Sequence, residues 1–166
     1  MQRGVPLKNS PVVQKISVRY QDLDPYGHVN NAVHMEYFEA ARIAYLTALA
    51  ERAGLGPLKA GDVPGMYYVI AEANVRYKAP IYFEDTLHCS ASIRTVGNRS
   101  FVIDHELRVG ESYESGRTLA EGTSAQVLYD PKTEEVRPRP EWFLATVAGL
   151  ENRAEESFAP SEGEGD

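Results

Sequence analysis

The segment YQDLDPYGHVNN, residues 20–31, lies between two apolar segments and holds more polar groups than a connection requires. It contains two aspartates, a proline, a glycine, a histidine and two asparagines. A simple turn from a strand into a helix needs one turn-forming residue and one capping residue. The additional polar groups make this segment the first candidate for a functional site, and the elements on either side of it indicate the fold.

The chain on both sides of this segment has strand and helix patterns. Residues 12–20 alternate apolar and polar side chains, which is typical of a half-buried strand. Residues 31–53 contain no glycine or proline, and Gly54 stands where a C-terminal cap belongs, which predicts a long helix. Residues 67–80 predict a long strand with the following side chains on one face: Tyr67, Val69, Ala71, Ala73, Val75 and Tyr77.

The second half of the chain predicts further strands and a short helix. Residues 86–96 and 99–109 both alternate, and Gly97-Asn98 between them predicts a hairpin. Residues 118–130 form a weaker strand pattern, and residues 140–150 predict a short helix that begins at a proline. The order of elements predicts an antiparallel sheet with one long helix laid across it, which is the α+β class.

Length and charge predict one domain followed by a tail. The chain has 166 residues and 43% hydrophobic residues, which suits a single globular domain at residues 1–150, with residues 1–10 as a flexible arm. Residues 151–166 are acidic and poor in apolar residues, so we expect a disordered tail. This tail carries five of the seven net negative charges, so the domain is nearly neutral. Such a balance argues against a nucleic-acid partner.

The sequence predicts a cytoplasmic protein without a membrane segment. Cys89 is the only cysteine, which excludes an intramolecular disulfide and a cysteine-rich zinc site and suits a reducing compartment. The first ten residues are polar, and no apolar run approaches membrane-spanning length. The four histidines are scattered without metal-ligand spacing, so no metal site is predicted. Cys89 and His105 lie on apolar strand faces and are expected in the core.

The stretch DLDPYGHVNNAVHMEYFEAAR, residues 22–42, resembles the opening signature of hotdog-fold thioesterases of the 4-hydroxybenzoyl-CoA thioesterase class. In that family, D-x-D-x-x-G-H-V-N-N leads into the central helix. The matching residues are Asp22, Asp24, Gly27, His28, Asn30, Asn31, Glu39 and Arg42. The resemblance implies a curved antiparallel sheet wrapped around one long central helix. It also implies an acyl-CoA substrate, with no metal and no cofactor beyond the CoA of that substrate, and a homodimer or homotetramer whose active sites lie at subunit interfaces.

The resemblance assigns roles to the polar segment. Asp24 is the expected catalytic carboxylate, acting either as general base on water or as nucleophile. Backbone amides of residues 31–33, at the start of the helix, are candidates for the oxyanion hole. Of Asn30 and Asn31, one is expected to cap the helix and the other to orient water or the carboxylate. His28 either polarises the substrate or holds the loop by hydrogen bonds.

Glu39, Arg42 and His34 on the predicted helix leave alternatives open. Glu39 is the competing catalytic carboxylate, because some hotdog enzymes place the acid on the helix. Alternatively, Glu39 and Arg42 form an ion pair at the edge of the helix. His34 stands where the family often has tyrosine. It either alters the acyl pocket or only replaces one aromatic-sized side chain with another.

Two further questions concern the residues that bind the CoA part of the substrate and the reaction that the protein catalyses. The phosphates of CoA require basic residues, and the resemblance points to Arg99, Arg137 and Arg139. Besides a thioesterase, the fold also suits a hydratase or dehydratase of acyl thioesters, or a sensor that binds acyl-CoA without turnover. The chain length and the aromatic or aliphatic character of the acyl group cannot be read from the residues, nor can the choice between CoA and an acyl carrier protein.

Overall fold

The computed structural model describes residues 12–56 and 63–161. The main elements, in chain order, are β1 (Val12–Ser17), α1 (Val33–Arg52), β2 (Tyr68–Tyr77), β3 (Thr86–Val96), β4 (Ser100–Val109), β5 (Arg117–Asp130), β6 (Glu135–Val136) and α2 (Glu141–Glu151). Single 3₁₀ turns occupy Tyr20–Asp22 and Glu155–Phe158. The predicted order of strand, long helix, sheet and short helix is confirmed.

The strands form one antiparallel sheet in the order β1-β3-β4-β5-β2, and β6 pairs with β5. The hairpin between β3 and β4 turns at Gly97–Arg99, as the sequence predicts. β2 does not pair with its sequence neighbour β3, because the chain crosses to the far edge and pairs β2 with β5. Helix α1 packs over β1, β3 and β4. One edge of β2 is therefore unpaired in the part of the chain that the structure describes.

The core lies between α1 and the face of the sheet that it covers. Apolar residues at helical spacing, Phe38, Ala41, Tyr45 and Leu49, are buried against that face. Each large apolar side chain that is fully buried contributes roughly 1.5–3 kcal/mol. Gly122 of β5 lets the helix approach, since a Cβ atom there would collide with the Phe38 ring and the Asn74 carbonyl oxygen.

The predicted single apolar face of residues 67–77 is wrong in detail. An irregularity between Ile70 and Glu72 shifts the register of β2 against β5. Ala73 and Val75 lie opposite Ser124 and Gly122, on the helix side of the sheet, whereas Val69 lies opposite Val127 on the other side. An extra residue in a strand reverses the faces beyond it, and alternation alone did not reveal the bulge. The following side chains of this region are substantially exposed: Tyr67, Val69, Ile70 and Tyr77.

The expected disorder of residues 151–166 is wrong for residues 151–161. The 3₁₀ turn at Glu155–Phe158 places the Phe158 ring in the core with no exposed surface. The Arg153 guanidinium lies 4.1 Å from the centroid of that ring and donates to the Ile93 carbonyl at 3.2 Å. One anchored aromatic residue therefore orders a segment whose composition suggested disorder.

The end of α2 is tied to the sheet by the same part of the chain. Glu151 accepts hydrogen bonds from the Tyr45 hydroxyl at 2.7 Å, the Ile93 amide at 2.9 Å and the Ser92 hydroxyl at 2.9 Å. These bonds hold the part of β3 just past Ala91, the residue paired with Val12 at the beginning of β1. The predicted flexible arm at residues 1–10 and the rest of the tail, residues 162–166, lie outside the described residues.

Strand β1 is shorter than predicted, because the chain turns at residues 20–22 instead of continuing to Tyr20. Tyr20 is 81% exposed and does not share the buried side of Ile16 and Val18. Of the helices in residues 12–56 and 63–161, none has the length and apolar character needed to cross a membrane.

Candidate functional site

A cavity of about 310 Å³ lies where the polar segment meets the end of β2. Its lining residues are Asp24, His28, Val29, Asn31, His34, Tyr77, Lys78, Ala79, Pro80 and Ile81. Three of the predicted site residues, Asp24, His28 and Asn31, therefore meet in one cavity. The wall formed by residues 77–81 was not predicted as part of the site. It lies about 50 residues further along the chain, and only Pro80 marked it, as the end of a strand pattern.

Asp24 is held by a tight turn that it forms with the next four residues. The Asp24 amide donates to the His28 carbonyl at 2.7 Å, and the Gly27 amide donates to the Asp24 carbonyl at 3.0 Å. Asp24 Oδ1 accepts from the amides of Tyr26 at 2.8 Å and His28 at 3.2 Å. Gly27 has φ of +80°, a conformation that favours glycine. The turn fixes one carboxylate oxygen by backbone alone.

The second oxygen of Asp24 is available for chemistry. Oδ2 makes no hydrogen bond with any residue in the described part of the chain, and the side chain is half-buried at the cavity. The turn is attached to the opposite wall by the Val29 amide, which donates to the Ile81 carbonyl at 2.9 Å. A carboxylate with one fixed and one free oxygen can accept a proton from water or attack a carbonyl carbon.

Asp22, two residues earlier, is buried and fully engaged. Its carboxylate accepts from the Arg19 amide at 2.8 Å, from the Arg19 guanidinium at 2.6 Å and from the Tyr37 hydroxyl at 2.9 Å. Burial alone would raise the pKa of Asp22, but the hydrogen bonds from Arg19 and Tyr37 hold it below the ordinary value. Asp22 therefore links the segment to α1 by hydrogen bonds, and it does not line the cavity.

Asn30 holds the backbone just before α1, whose N-cap residue is Ala32. The expected role of the other asparagine, to orient water or the carboxylate, stays a prediction. Asn30 Oδ1 accepts from the Ala32 amide at 3.0 Å, and its carbonyl accepts from the Val33 amide at 3.0 Å. The predicted oxyanion hole of residues 31–33 is therefore too broad, because two of its three amides are already engaged. Among these three, only the Asn31 amide has no acceptor in the described residues, and Asn31 lines the cavity.

The two histidines at the cavity are held differently. His28 takes part in the turn through its backbone, and its ring lines the cavity and meets Tyr82 edge-on at 5.1 Å, so both alternatives for this side chain stay predictions. His34 is buried on the first turn of α1. Its Nδ1 lies 3.3 Å from the Asn30 carbonyl, and burial lowers the pKa of the ring. The Tyr77 ring stands perpendicular to His34 at 4.8 Å.

Glu39 lies outside the cavity lining. It is exposed and pairs with Arg42 at 3.7 Å, and the buried Arg42 also donates from Nε to the Tyr68 hydroxyl at 3.1 Å. The ion-pair alternative is therefore present in the structure. A catalytic role for Glu39 stays a prediction that this geometry does not favour.

The three predicted CoA-binding arginines lie at the other end of the sheet. Tyr77 lies opposite Ala120 of β5 and Ser100 lies opposite Val127, a separation of roughly 23 Å along that strand. Arg137 pairs with Asp130 at 3.6 Å, and Arg139 Nε donates to the Gly97 carbonyl at 3.2 Å. Arg99 lines a different cavity of about 610 Å³ on the uncovered face of the sheet. Within one chain, these arginines do not meet the Asp24 cavity.

His105 and Cys89 are core residues, as predicted. The His105 ring stacks on Phe38 at 4.8 Å and shares a hydrogen bond with the Ser124 hydroxyl at 3.2 Å. Burial, followed by the charge of Arg42, lowers the pKa of His105 to about 3. Burial raises the pKa of the Cys89 thiol. Within the described ranges, no group of three or more His, Cys, Asp or Glu residues is arranged to hold a metal ion.

Comparison with known proteins agrees with this geometry. The family model described as the thioesterase-like superfamily matches residues 18–147. The long-chain acyl-CoA thioesterase FadM of Escherichia coli (strain K12) is 25% identical over 121 residues, which cover 73% of this chain and 85% of FadM.

Two solved structures are similar over most of the fold. A thioesterase from Thermus thermophilus, complexed with coenzyme A and Zn, has a TM-score of 0.70 and 28% identity, and the match covers 87% of this chain and 97% of that one. A gentisyl-coenzyme A thioesterase, BH1999, has a TM-score of 0.63 and 25% identity, with coverage of 78% and 97%. The predicted fold, a curved antiparallel sheet with one long helix against it, is confirmed.

Proposed function

Because this chain belongs to the thioesterase-like superfamily and is a thioester hydrolase, we propose that it hydrolyses acyl-CoA thioesters at the Asp24 cavity. The observation that supports this most is the combination at one cavity of a carboxylate with a free oxygen and the amide of Asn31, just before α1, with no acceptor among the described residues. The products are a carboxylic acid and free CoA.

The chemistry follows from these two groups. In the general-base route, Asp24 Oδ2 takes a proton from water while the water oxygen bonds to the thioester carbonyl carbon. The Asn31 amide donates to the carbonyl oxygen as it becomes negative. The carbon–sulfur bond then breaks, and the thiolate leaves and takes up the proton that Asp24 received, which restores the carboxylate. A positioned base contributes about 10²–10⁴-fold and one oxyanion donor about 10²–10³-fold.

The nucleophile route uses the same atoms in a different order. Asp24 Oδ2 attacks the carbonyl carbon and expels the thiolate, which leaves a mixed anhydride that water then hydrolyses. The two backbone amides on Oδ1 orient the carboxylate in both routes. Single-turnover hydrolysis in labelled water tests for the nucleophile route, since only hydrolysis of an anhydride at its Asp24 carbon can place the label in the enzyme.

We place the protein in the 4-hydroxybenzoyl-CoA thioesterase class because of the signature at residues 22–31, and in the cytoplasm because of the single cysteine. The acyl group is a separate question. Relatives with similar folds are named for long-chain acyl-CoA and for gentisyl-CoA, so a panel of aliphatic and aromatic acyl-CoA esters is the informative screen.

We also propose that two copies of the chain pair along the free edge of β2. This edge carries unpaired backbone groups among the described residues, and Val69 and Ile70 are each 43% exposed. An antiparallel pairing of β2 with its copy would bury these side chains and extend the sheet. The second copy would also form one side of the Asp24 cavity, since that cavity lies at the end of β2.

The same pairing offers a role for the three arginines. Arg99, Arg137 and Arg139 lie beside the beginning of β2, whereas the Asp24 cavity lies at its end. In an antiparallel pairing of identical strands, the beginning of one strand lies beside the end of the other. The arginines of one copy would then approach the cavity of the other, where the phosphates of CoA require positive charge.

Asp24→Asn tests the proposed activity, with release of free thiol as the measurement. Asparagine keeps an oxygen that can accept the Tyr26 and His28 amides but provides no base, so turnover should fall on the order of 10³-fold. Asp130→Asn is the matched control. Asp130 also precedes a proline, and its Oδ1 also accepts the amide two residues on, at 2.9 Å, but it lies away from the cavity of its own chain. Because Asp130 pairs with Arg137, the two variants are compared by kcat at saturating acyl-CoA.

The outcomes separate the competing hypotheses. Full activity in Asp24→Asn together with loss in Glu39→Gln would move the catalytic carboxylate to the helix. Tight acyl-CoA binding by the wild-type protein without any thiol release would favour the sensor alternative. Hydration of an enoyl-CoA ester without thiol release would favour the hydratase alternative.

Ile70→Lys tests the pairing of two copies. A charge at this edge opposes pairing, so the particle mass should fall to that of one chain and turnover should fall with it. Val136→Lys is the control, because Val136 is similarly exposed at 48% but lies on β6. A wild-type protein that is monomeric and fully active would contradict the proposal.

A further inference from the structure

His34 differs from His28, the other histidine at the Asp24 cavity, because it is buried and one of its ring nitrogens is held by a hydrogen bond. The ring is buried, lines the cavity, and is in contact with the Tyr77 ring. The Tyr77 hydroxyl is already used, since it donates to the Asn31 carbonyl at 3.0 Å. Lys78 pairs with Glu121. Among the lining side chains, His34 is therefore one of the few with a nitrogen left for a ligand.

The hydrogen bond on one side of the ring fixes the tautomer. A carbonyl oxygen can only accept, so the proton lies on His34 Nδ1, which donates to the Asn30 carbonyl at 3.3 Å. Burial lowers the pKa of the ring, which keeps it neutral at physiological pH. Nε2 then carries a lone pair, and the hydrogen bond of the ring within residues 12–56 and 63–161 is made by Nδ1.

A water that attacks a carbonyl carbon must be oriented as well as deprotonated. It has two hydrogens, and two acceptors that hold both of them direct an oxygen lone pair at the carbon. Asp24 Oδ2 is one free acceptor at this cavity. His34 also lines it, and the hydrogen bond at Nδ1 leaves its Nε2 as another acceptor. A tyrosine at this position, as the resemblance leads one to expect, would bring a hydroxyl donor instead.

We infer that His34 is a positioning residue that holds the attacking water against Asp24, with Nε2 accepting the hydrogen that Asp24 does not take. This inference rests on the proposed hydrolysis and applies to its general-base route. The proton that is transferred goes to Asp24 Oδ2, the water oxygen bonds to the carbonyl carbon, and the carbon–sulfur bond breaks. His34 neither gains nor loses a proton in this step.

Competition between water and hydroxylamine tests the inference. Both nucleophiles attack the same thioester, so the ratio of hydroxamate to acid, after subtraction of the uncatalysed reaction, reports how well the enzyme uses water. His34→Phe keeps an aromatic ring but removes Nε2. We expect kcat for hydrolysis to fall about 10- to 100-fold with little change in KM, and the hydroxamate ratio to rise.

Two further variants separate positioning from structural damage. His34→Gln supplies an acceptor oxygen and should recover part of both kcat and the product ratio. His88→Gln makes the same change on β3, where the His88 ring contacts the Gly110 carbonyl at 3.1 Å, and should behave as wild type. Thermal unfolding of each variant gives the folded fraction by which kcat is corrected.

The possible results are distinct. If the product ratio in His34→Phe equals that of the wild type, or if kcat falls only in proportion to the folded fraction, the inference is wrong while the proposed activity stands. If the wild-type protein releases no thiol from any acyl-CoA ester, the proposed function fails and the inference fails with it.

Discussion

The two halves of the polar segment use the same residue type for opposite purposes. In residues 19–23, Asp22 is buried, and both of its oxygens accept hydrogen bonds from Arg19 or Tyr37. In residues 24–31, Asp24 is half-buried, and only one of its oxygens has partners among the described residues. A carboxylate whose acceptor capacity is filled stabilises the fold, whereas one with a free oxygen at a cavity can react.

This difference cannot be read from the pattern Asp-Leu-Asp. Both aspartates match the family signature, and both stand near turn-forming residues. Their roles separate because Arg19 and Tyr37 reach Asp22 from the end of the preceding strand and from α1, while Asp24 is surrounded by the amides of its own turn. Four measurements can break or sharpen this comparison.

Asp22→Ala should give the largest change in stability. It removes a buried charge that accepts from Arg19 and leaves the Tyr37 hydroxyl without its partner. We expect the free energy of unfolding to fall by about 3 kcal/mol, measured by urea unfolding at pH 7. A fall of less than about 1 kcal/mol would show that the hydrogen bonds of Asp22 do not stabilise this segment.

The pH dependence of that loss is the second measurement. Because hydrogen bonds lower the pKa of Asp22 in the folded state, its contribution is present above the unfolded pKa of about 4 and is lost as the pH falls below it. The difference in unfolding free energy between wild type and Asp22→Ala should therefore narrow below about pH 4. Other carboxylates titrate in both proteins, so a constant difference would contradict the assignment.

Tyr37→Phe should have a smaller effect. It removes one of the donors to Asp22 but leaves both contacts with Arg19 in place. The expected loss is about 1 kcal/mol in urea unfolding. If the loss equals that of Asp22→Ala, the hydroxyl of Tyr37, and not Arg19, carries most of the stabilisation.

Asp24→Asn should have the smallest effect on stability, within about 0.5 kcal/mol of the wild type. The asparagine oxygen can accept the same two amides that hold Oδ1. The same variant is the one expected to lose turnover, so stability and activity should separate between the two aspartates. A large loss of stability in Asp24→Asn would make the activity result uninformative and would remove the distinction between the two halves.

Much of the fold follows from short-range pattern. Helix α1 and the β3–β4 hairpin are confirmed close to their predicted bounds, because a helix stripe and a hairpin turn depend on residues near one another in sequence. The bulge in β2 and the ordered segment around Phe158 were not predicted. Both depend on contacts with residues 50 or more positions away in sequence, which leave no local pattern.

For the site, the sequence alone determined which segment matters and, through resemblance, that Asp24 is its expected reactive carboxylate. Tertiary structure decided that residues 77–81 lie against the turn and close a cavity around it. The folded backbone between them decided which groups stay free: the Asn30 side chain accepts the Ala32 amide, the Asn31 amide has no acceptor in the described residues, and the Asn30 carbonyl fixes the tautomer of His34. The physical reason is that residue type sets which hydrogen bonds a group can make, whereas packing sets which of them remain unmade and open to a substrate.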